Sequence, residues 1–282
     1  MALRVGSLFS GAGLCDLGLS WAGLDHQWFC EIDPFCRSIL KKHWPHVPVF
    51  EDVRELGWDC PAVDVLCGGF PCQDVSCAGK KAGIKEGTRS GLWIEYMRLI
   101  KEIHPKYAII ENVRGLLSCG IEIVLEDLAA FGYDAEWEVL PAAAFGAPHH
   151  RERVFIVAYP DSFKHDRIYR LLSPLRAVLG NVQQSFRVAD WLGIRIDRSS
   201  RQAIRKAYPG CVVRRVDDGF AKGMDLPPGV RLLPREDLPV WIQRLKSLGN
   251  GIVPYQAWAI AMCILTAEGL PAGSLPDMNS SR

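Results

Sequence analysis

Short apolar runs alternate with longer segments of helical spacing through the first 160 residues. Arg4 to Phe9 predicts a strand, and Leu14, Leu17 and Trp21 then fall three and four apart, one face of a helix. Gln27 to Cys30 predicts a second strand that runs into Glu31-Ile32-Asp33. Val63 to Cys67 is a third, and Leu92, Tyr96, Leu99, Ile100 and Ile103 share one helical face after it. Tyr107 to Ile110 predicts a strand ending at Glu111-Asn112-Val113, and Val154 to Ala158 predicts another. Strand–helix alternation of this kind argues an α/β fold with a doubly wound, mostly parallel sheet.

After Pro160 the rhythm stops. Residues 160–237 carry 15 Lys/Arg against 9 Asp/Glu, with prolines and glycines clustered at 209–234. This predicts a small irregular domain. Order returns from Trp241, where Leu248-Gly249-Asn250-Gly251 leads to an apolar helix, Ala257 to Ala267. That helix is too hydrophobic to stand exposed, so it is expected to return to the first unit. The expected division is residues 1–159 plus 240–282 as one domain and 160–239 as a second.

Composition changes this picture in one respect. The formal charge of the 282-residue chain is only +1, which conceals a basic segment of +6 suited to neutralising phosphates. Its basic residues are mostly arginine, which also makes bidentate contacts to bases. No apolar stretch is long enough to span a bilayer, and the strand-like N-terminus lacks the pattern of a signal peptide. The expectation is a soluble cytoplasmic protein. Ten cysteines include no Cys-x-x-Cys pair, and no His/Cys spacing completes a zinc pattern, so neither disulfides nor a metal are expected.

Candidate chemistry gathers at predicted strand ends. Gly68-Gly69-Phe70-Pro71-Cys72-Gln73 follows the Val63 strand and places a thiol where open α/β sheets bind ligands. The glycines allow close backbone approach, the proline fixes the turn, and a thiolate is a strong nucleophile. Most free cysteines are simply buried hydrophobes, but a packed thiol needs no such turn. Glu111 ends a neighbouring strand, where apolar surroundings raise a carboxyl pKa and equip it to donate a proton. Arg151 and Arg153 alternate at the start of the Val154 strand and share a face. Phe9-Ser10-Gly11-Ala12-Gly13 joins the first strand to its helix, and Glu31 ends the second. A glycine turn with such an acid suits a nucleoside cofactor, and the turn alone fits flavin and nicotinamide proteins too.

Taken in order, these motifs resemble the DNA (cytosine-5) methyltransferase family of bacterial and phage type. Phe9-Ser10-Gly11-Ala12-Gly13 is similar to its first cofactor motif, and Gly69-Phe70-Pro71-Cys72-Gln73, with Ser76, to its nucleophile loop. Arg89-Ser90-Gly91-Leu92, Glu111-Asn112-Val113, Arg151-Glu152-Arg153 and Gly249-Asn250 resemble the motifs that follow. The resemblance covers residues 3–159 and 244–265. Two positions depart from the usual pattern: His149 stands where the family often has Gln, and Leu14 where a second glycine often follows Gly13.

The resemblance implies a Rossmann-like methyltransferase fold and a reaction. Cys72 would add to carbon 6 of a flipped-out cytosine, Glu111 would protonate or hydrogen-bond ring nitrogen 3, Arg153 would bind the base oxygen, and Arg151 would support the site. It implies S-adenosyl-L-methionine as cofactor, held by Phe9, Gly11 and Gly13 at the methionine end, Glu31 at the ribose, Ile32 and Asp52 at adenine, and Asn250 near the amino acid. It implies that Gln73, Ser76 and Arg89 contact double-stranded DNA. No metal is implied. The implied protein is a monomer, with a cognate restriction endonuclease as a possible companion. A tRNA-acting branch shares the motifs, and an inactive DNA-binding relative is a further alternative. If the basic segment meets phosphates, affinity for duplex DNA will fall steeply with added salt in a titration from 50 to 200 mM, by about 10³-fold or more for six or more contacts. A flat salt response would contradict it.

Overall fold

The computed structural model describes residues 2–71, 92–145, 147, 151–162, 171–175 and 252–271. Seven strands form one sheet: β1 (Arg4–Leu8), β2 (Asp25–Cys30), β3 (Val49–Phe50), β4 (Val65–Gly68), β5 (Tyr107–Val113), β6 (Tyr133–Pro141) and β7 (Glu152–Pro160). The helices are α1 (Leu14–Trp21), α2 (Pro34–His43), α3 (Leu92–Ile103), α4 (Leu116–Cys119), α5 (Ile121–Ala130) and α6 (Pro254–Ala267). Strand order is β3-β2-β1-β4-β5-β7-β6. The first five strands are parallel, and β7 lies antiparallel between β5 and β6. The order reverses between β1 and β4, the point at which doubly wound sheets open a ligand crevice.

Both faces of the sheet are buried, so its inner strands read as continuous apolar runs. Side chains alternate between two cores because successive strand residues point to opposite faces. Val5, Cys67, Ile109, Phe155 and Val157 pack with α1 and α6, while Leu8, Leu66, Ile110, Val154 and Ile156 pack with α3 and α5. The helix α6 does return to the first unit, and all but a few of its residues are buried. Leu171, Leu172 and Leu175, placed by sequence in the second domain, pack into the same core. The Glu136 carboxylate on β6 fixes that short segment by accepting the backbone N–H groups of Leu171 (2.6 Å) and Leu172 (3.1 Å).

Helix starts follow local chemistry. Asp33 caps α2, accepting from the backbone of Phe35 (2.8 Å) and Cys36 (3.2 Å), with Pro34 at the first helical position. Helix α6 has no hydroxyl or carboxylate cap. Instead the buried Gln256 side chain accepts from Val253 N–H (3.1 Å) and donates to the Leu140 carbonyl on β6 (2.6 Å). Strand β6, helices α2 and α5, and the antiparallel direction of β7 go beyond the sequence expectation. In β6, Asp134, Glu136 and Glu138 interrupt the apolar residues because it is an edge strand.

Helices α1 and α6 meet at Gly18. A side chain there would collide with the Pro254 carbonyl and approach Trp258 N to 2.9 Å. Gly18→Ala is therefore expected to destabilise the fold by about 1–3 kcal/mol through overpacking. In a thermal melt that is a drop of roughly 3–10 °C; an unchanged melt would show that the two helices do not meet as closely as described.

Candidate active site

The carboxyl ends of β1, β4 and β5 lie side by side. Parallel pairing sets Cys67 opposite Ile109 and Gly68 opposite Ile110, and one step further Gly69 faces Glu111. A Cβ at Gly69 would meet Glu111 Oε2, so a side chain there would have to push the carboxylate aside. Asn112 then ties that loop to β5. Its side chain, 2% exposed, donates to the Phe70 carbonyl (3.1 Å) and accepts from Val113 N–H (2.9 Å). Phe70 is itself buried against Trp93, with ring centroids 5.5 Å apart. The chain is thus anchored up to Pro71, the residue before the expected nucleophile. Cys72, Gln73, Ser76, Arg89 and Asn250 lie outside the described residues.

Glu111 is paired with one guanidinium group and feels the charge of a second. Strand β7 pairs Arg153 with Val113, and Arg153 Nε reaches Glu111 Oε1 at 2.9 Å. Arg153 Nη1 also donates to the Glu152 carbonyl (2.9 Å). Arg151 precedes the strand in a left-handed conformation, φ 30°. Burial pushes the Glu111 carboxyl up to about 7, against the opposing pull of Arg153 and Arg151. Burial, reinforced by Arg153, lowers the Arg151 pKa. The result is an acid that is part protonated at neutral pH beside paired positive charge. Such a group can donate a proton to a ring nitrogen, and the arginines can receive an electron-rich oxygen.

The neighbouring β1 and β2 ends form a second cluster. Phe9 (φ 52°), Gly11 (φ 56°) and Gly13 (φ 78°) turn the chain sharply out of β1. At Gly13 a side chain would be both strained and pressed against Trp44 and Leu40. Glu31 closes this turn, accepting Gly11 N–H (2.6 Å) on one oxygen and Asp33 N–H (2.8 Å) on the other. Burial raises the Glu31 pKa, while those two N–H groups and Arg37 oppose the rise. Ile32 is 68% exposed. Asp52 caps the short turn Val53–Glu55 and is paired with Arg54, Nε to Oδ1 2.9 Å, which lowers its pKa. The open space above Gly11, the carboxylate of Glu31 and the bare face of Ile32 suit a nucleoside with a polar tail. Among the described residues no group of three or more His, Cys, Asp or Glu is placed to hold a metal ion.

Sequence reasoning did not single out Asn112 as the tie to the loop that leads to Cys72, or Gln256 as the anchor of α6. It also did not find a buried couple between α1 and β2, where His26 Nε2 meets Asp16 Oδ1 at 3.1 Å. The two lie ten residues apart on the consecutive elements α1 and β2, so no local pattern signals the pair.

An open sheet with its loops gathered at the switch point defines a Rossmann-like cofactor fold. Residues 3–188 match the C-5 cytosine-specific DNA methylases, and the chain belongs to that family. It is similar to the type II methyltransferase M2.BsuMI of Bacillus subtilis, 38% identical over 164 residues, covering 55% of this chain and 42% of that protein. It is 43% identical over 159 residues to M.Eco47II of Escherichia coli, covering 54% and 38%. To M.NgoBI of Neisseria gonorrhoeae it is 33% identical over 212 residues, covering 72% and 65%. The matched part thus spans less than half the length of the first two. A solved structure of a Spodoptera frugiperda DNMT2 mutant shares the fold, with a TM-score of 0.50 at 18% identity, covering 60% of this chain and 53% of that one.

The raised Glu111 pKa has a consequence for stability. A carboxyl held up in the folded state stabilises the fold below its usual value of 4.5 and loses that contribution as pH rises through about 7. Between pH 5 and 8 the protein should therefore lose on the order of 1–3 kcal/mol relative to Glu111→Gln, measured by urea unfolding of both. A difference from the variant that stays constant over that range would show Glu111 to be ionised throughout.

Proposed function

We propose that the protein transfers a methyl group from S-adenosyl-L-methionine to carbon 5 of a cytosine in double-stranded DNA. The observation that carries this reading is the largely shielded Glu111–Arg153 ion pair set against Gly69, three residues before Cys72. Its support in kind is the family and the type II methyltransferases to which the chain is similar.

In this reading the target base leaves the duplex, because its ring carbons are out of reach inside the stack. Cys72 attacks carbon 6 as a thiolate, and Glu111 gives its proton to, or hydrogen-bonds, ring nitrogen 3. Negative charge developing in the ring is met by Glu111 and by the guanidinium groups of Arg153 and Arg151. Carbon 5, now enamine-like, is the nucleophile; the bound cofactor supplies an electrophilic methyl group. Loss of the carbon 5 proton and expulsion of Cys72 restore the ring. Phe9, Gly11 and Gly13 would hold the methionine end, Glu31 the ribose hydroxyls, Ile32 and Asp52 the adenine, and Asn250 the amino acid. Asp52 must share its oxygens with Arg54 or release it when adenine binds. Gln73, Ser76, Arg89 and the basic segment would contact DNA. The protein would act as a monomer in the cytoplasm, with a cognate restriction endonuclease as a possible companion.

Transfer of labelled methyl groups to duplex DNA, with transfer RNA as the second substrate, tests the reading. The expected result is incorporation into DNA, its abolition in Cys72→Ser, and a fall of about 10²- to 10⁴-fold in Glu111→Gln. The rate should also decline as pH rises above about 7, where Glu111 loses its proton. Incorporation into transfer RNA alone would overturn the DNA assignment, and a fast Cys72→Ser enzyme would overturn the covalent route.

A further inference from the structure

The candidate adenosine seat is built from two chain segments that the sheet holds together only weakly. Glu31 and Ile32 follow β2, and Asp52 follows β3. Strand β3 is an edge strand of two residues, paired through Phe29 with Val49 and Cys30 with Phe50. The last backbone bond between the segments runs from Glu31 N–H to the Phe50 carbonyl, 3.0 Å. Beyond it the ladder ends, yet Ile32 and Asp52 both lie further along.

Arg37 spans that gap. Its Nη1 donates to the carbonyls of Glu31 (3.2 Å) and Ile32 (2.7 Å), and its Nη2 meets Glu51 Oε1 at 3.1 Å. The side chain is 15% exposed, whereas Glu51 is 68% exposed. Arg37 sits on the first turn of α2, its own N–H bonded to the Asp33 carbonyl at 2.9 Å. Asp33 in turn donates its N–H to the Glu31 carboxylate at 2.8 Å. One guanidinium therefore holds two carbonyls of the β2 turn and the residue before Asp52. A planar fork with several donors does this; the single ammonium of lysine cannot make all three contacts in the same geometry.

We propose that Arg37 is a positioning residue for the cofactor, fixing Ile32 and Glu31 on one side of the adenosine seat relative to Asp52 on the other. This rests on the reading of S-adenosyl-L-methionine as the cofactor. Arg37 touches no reacting atom. Its loss should weaken cofactor binding and leave the chemical step nearly intact. It should also blur recognition at the edge of the purine that faces Asp52.

The test compares the wild type with Arg37→Met, Arg37→Lys and Glu51→Gln. Binding of S-adenosylhomocysteine is measured by calorimetry beside S-inosylhomocysteine, in which an oxo group replaces the adenine amino group. KM and kcat are then measured for S-adenosyl-L-methionine. Arg37→Met is expected to weaken S-adenosylhomocysteine and raise KM by about tenfold or more, with kcat changed less than about twofold. Preference for the adenosyl over the inosyl compound should narrow. Arg37→Lys should fall between the two, and Glu51→Gln should show a smaller shift in the same direction. If Arg37→Met does not fold, the Lys and Gln variants carry the same test. Wild-type binding with unchanged affinity and preference in the variants, or a loss confined to kcat, overturns the Arg37 assignment alone. A wild type that fails to bind S-adenosylhomocysteine overturns the cofactor reading, and the Arg37 assignment with it.

Discussion

The parallel hydrogen-bond ladder joining β1, β4 and β5 is the constraint on which the candidate site rests. Parallel strands end at the same edge of a sheet, and here the registry is tight enough to bring Gly69 against the Glu111 carboxylate. Shifting that ladder by one residue would turn Glu111 towards the opposite face and set a different residue beside the loop. The two cores fix the register, since each strand buries alternate residues on both faces. Packing far from the edge therefore determines chemistry at the edge.

Antiparallel β7 adds what the parallel strands cannot. It enters from the site end, so its first residues, not its last, lie beside the end of β5. This brings Arg153 onto Glu111 and keeps Arg151 close by. A buried carboxylate without a partner would simply stay protonated. With two guanidinium groups near it, Glu111 is brought down to about 7 rather than remaining permanently neutral. The balance between burial and positive charge makes it an acid that can both give and take a proton near neutrality. Arg114, bonded to Glu152 at 2.6 Å, ties the same two strand ends together at the surface.

The candidate cofactor cluster is built by a different principle. Its parts are turns rather than strands, and each turn is held by a side chain from a neighbour. Glu31 closes the glycine turn, Asp33 caps α2, Arg37 bridges to Glu51, and Arg54 occupies Asp52. The carboxylates expected to recognise ligand hydroxyl and amino groups are thus already engaged with donors of the protein. Ligand binding would exchange or extend those bonds, which is why their arrangement matters as much as their presence.

Much of this was legible in the chain itself. Strand and helix periods gave β1, β4, α3, β5 and the return of α6, because a sheet buried on both faces needs unbroken apolar runs. The motif residues Glu31, Glu111, Arg151 and Arg153 could be named because each sits beside such a run. Strand β6 escaped notice because an edge strand mixes acids among its apolar residues, and the direction of β7 is not written in its composition. Which side chains meet was decided only by tertiary structure. Asn112 with Phe70, Arg37 with Glu51 and Asp16 with His26 are joined across elements, and no local spacing encodes such pairs. Sequence determines what each strand end can offer chemically; the order and direction of the strands determine which offers are brought within bonding distance.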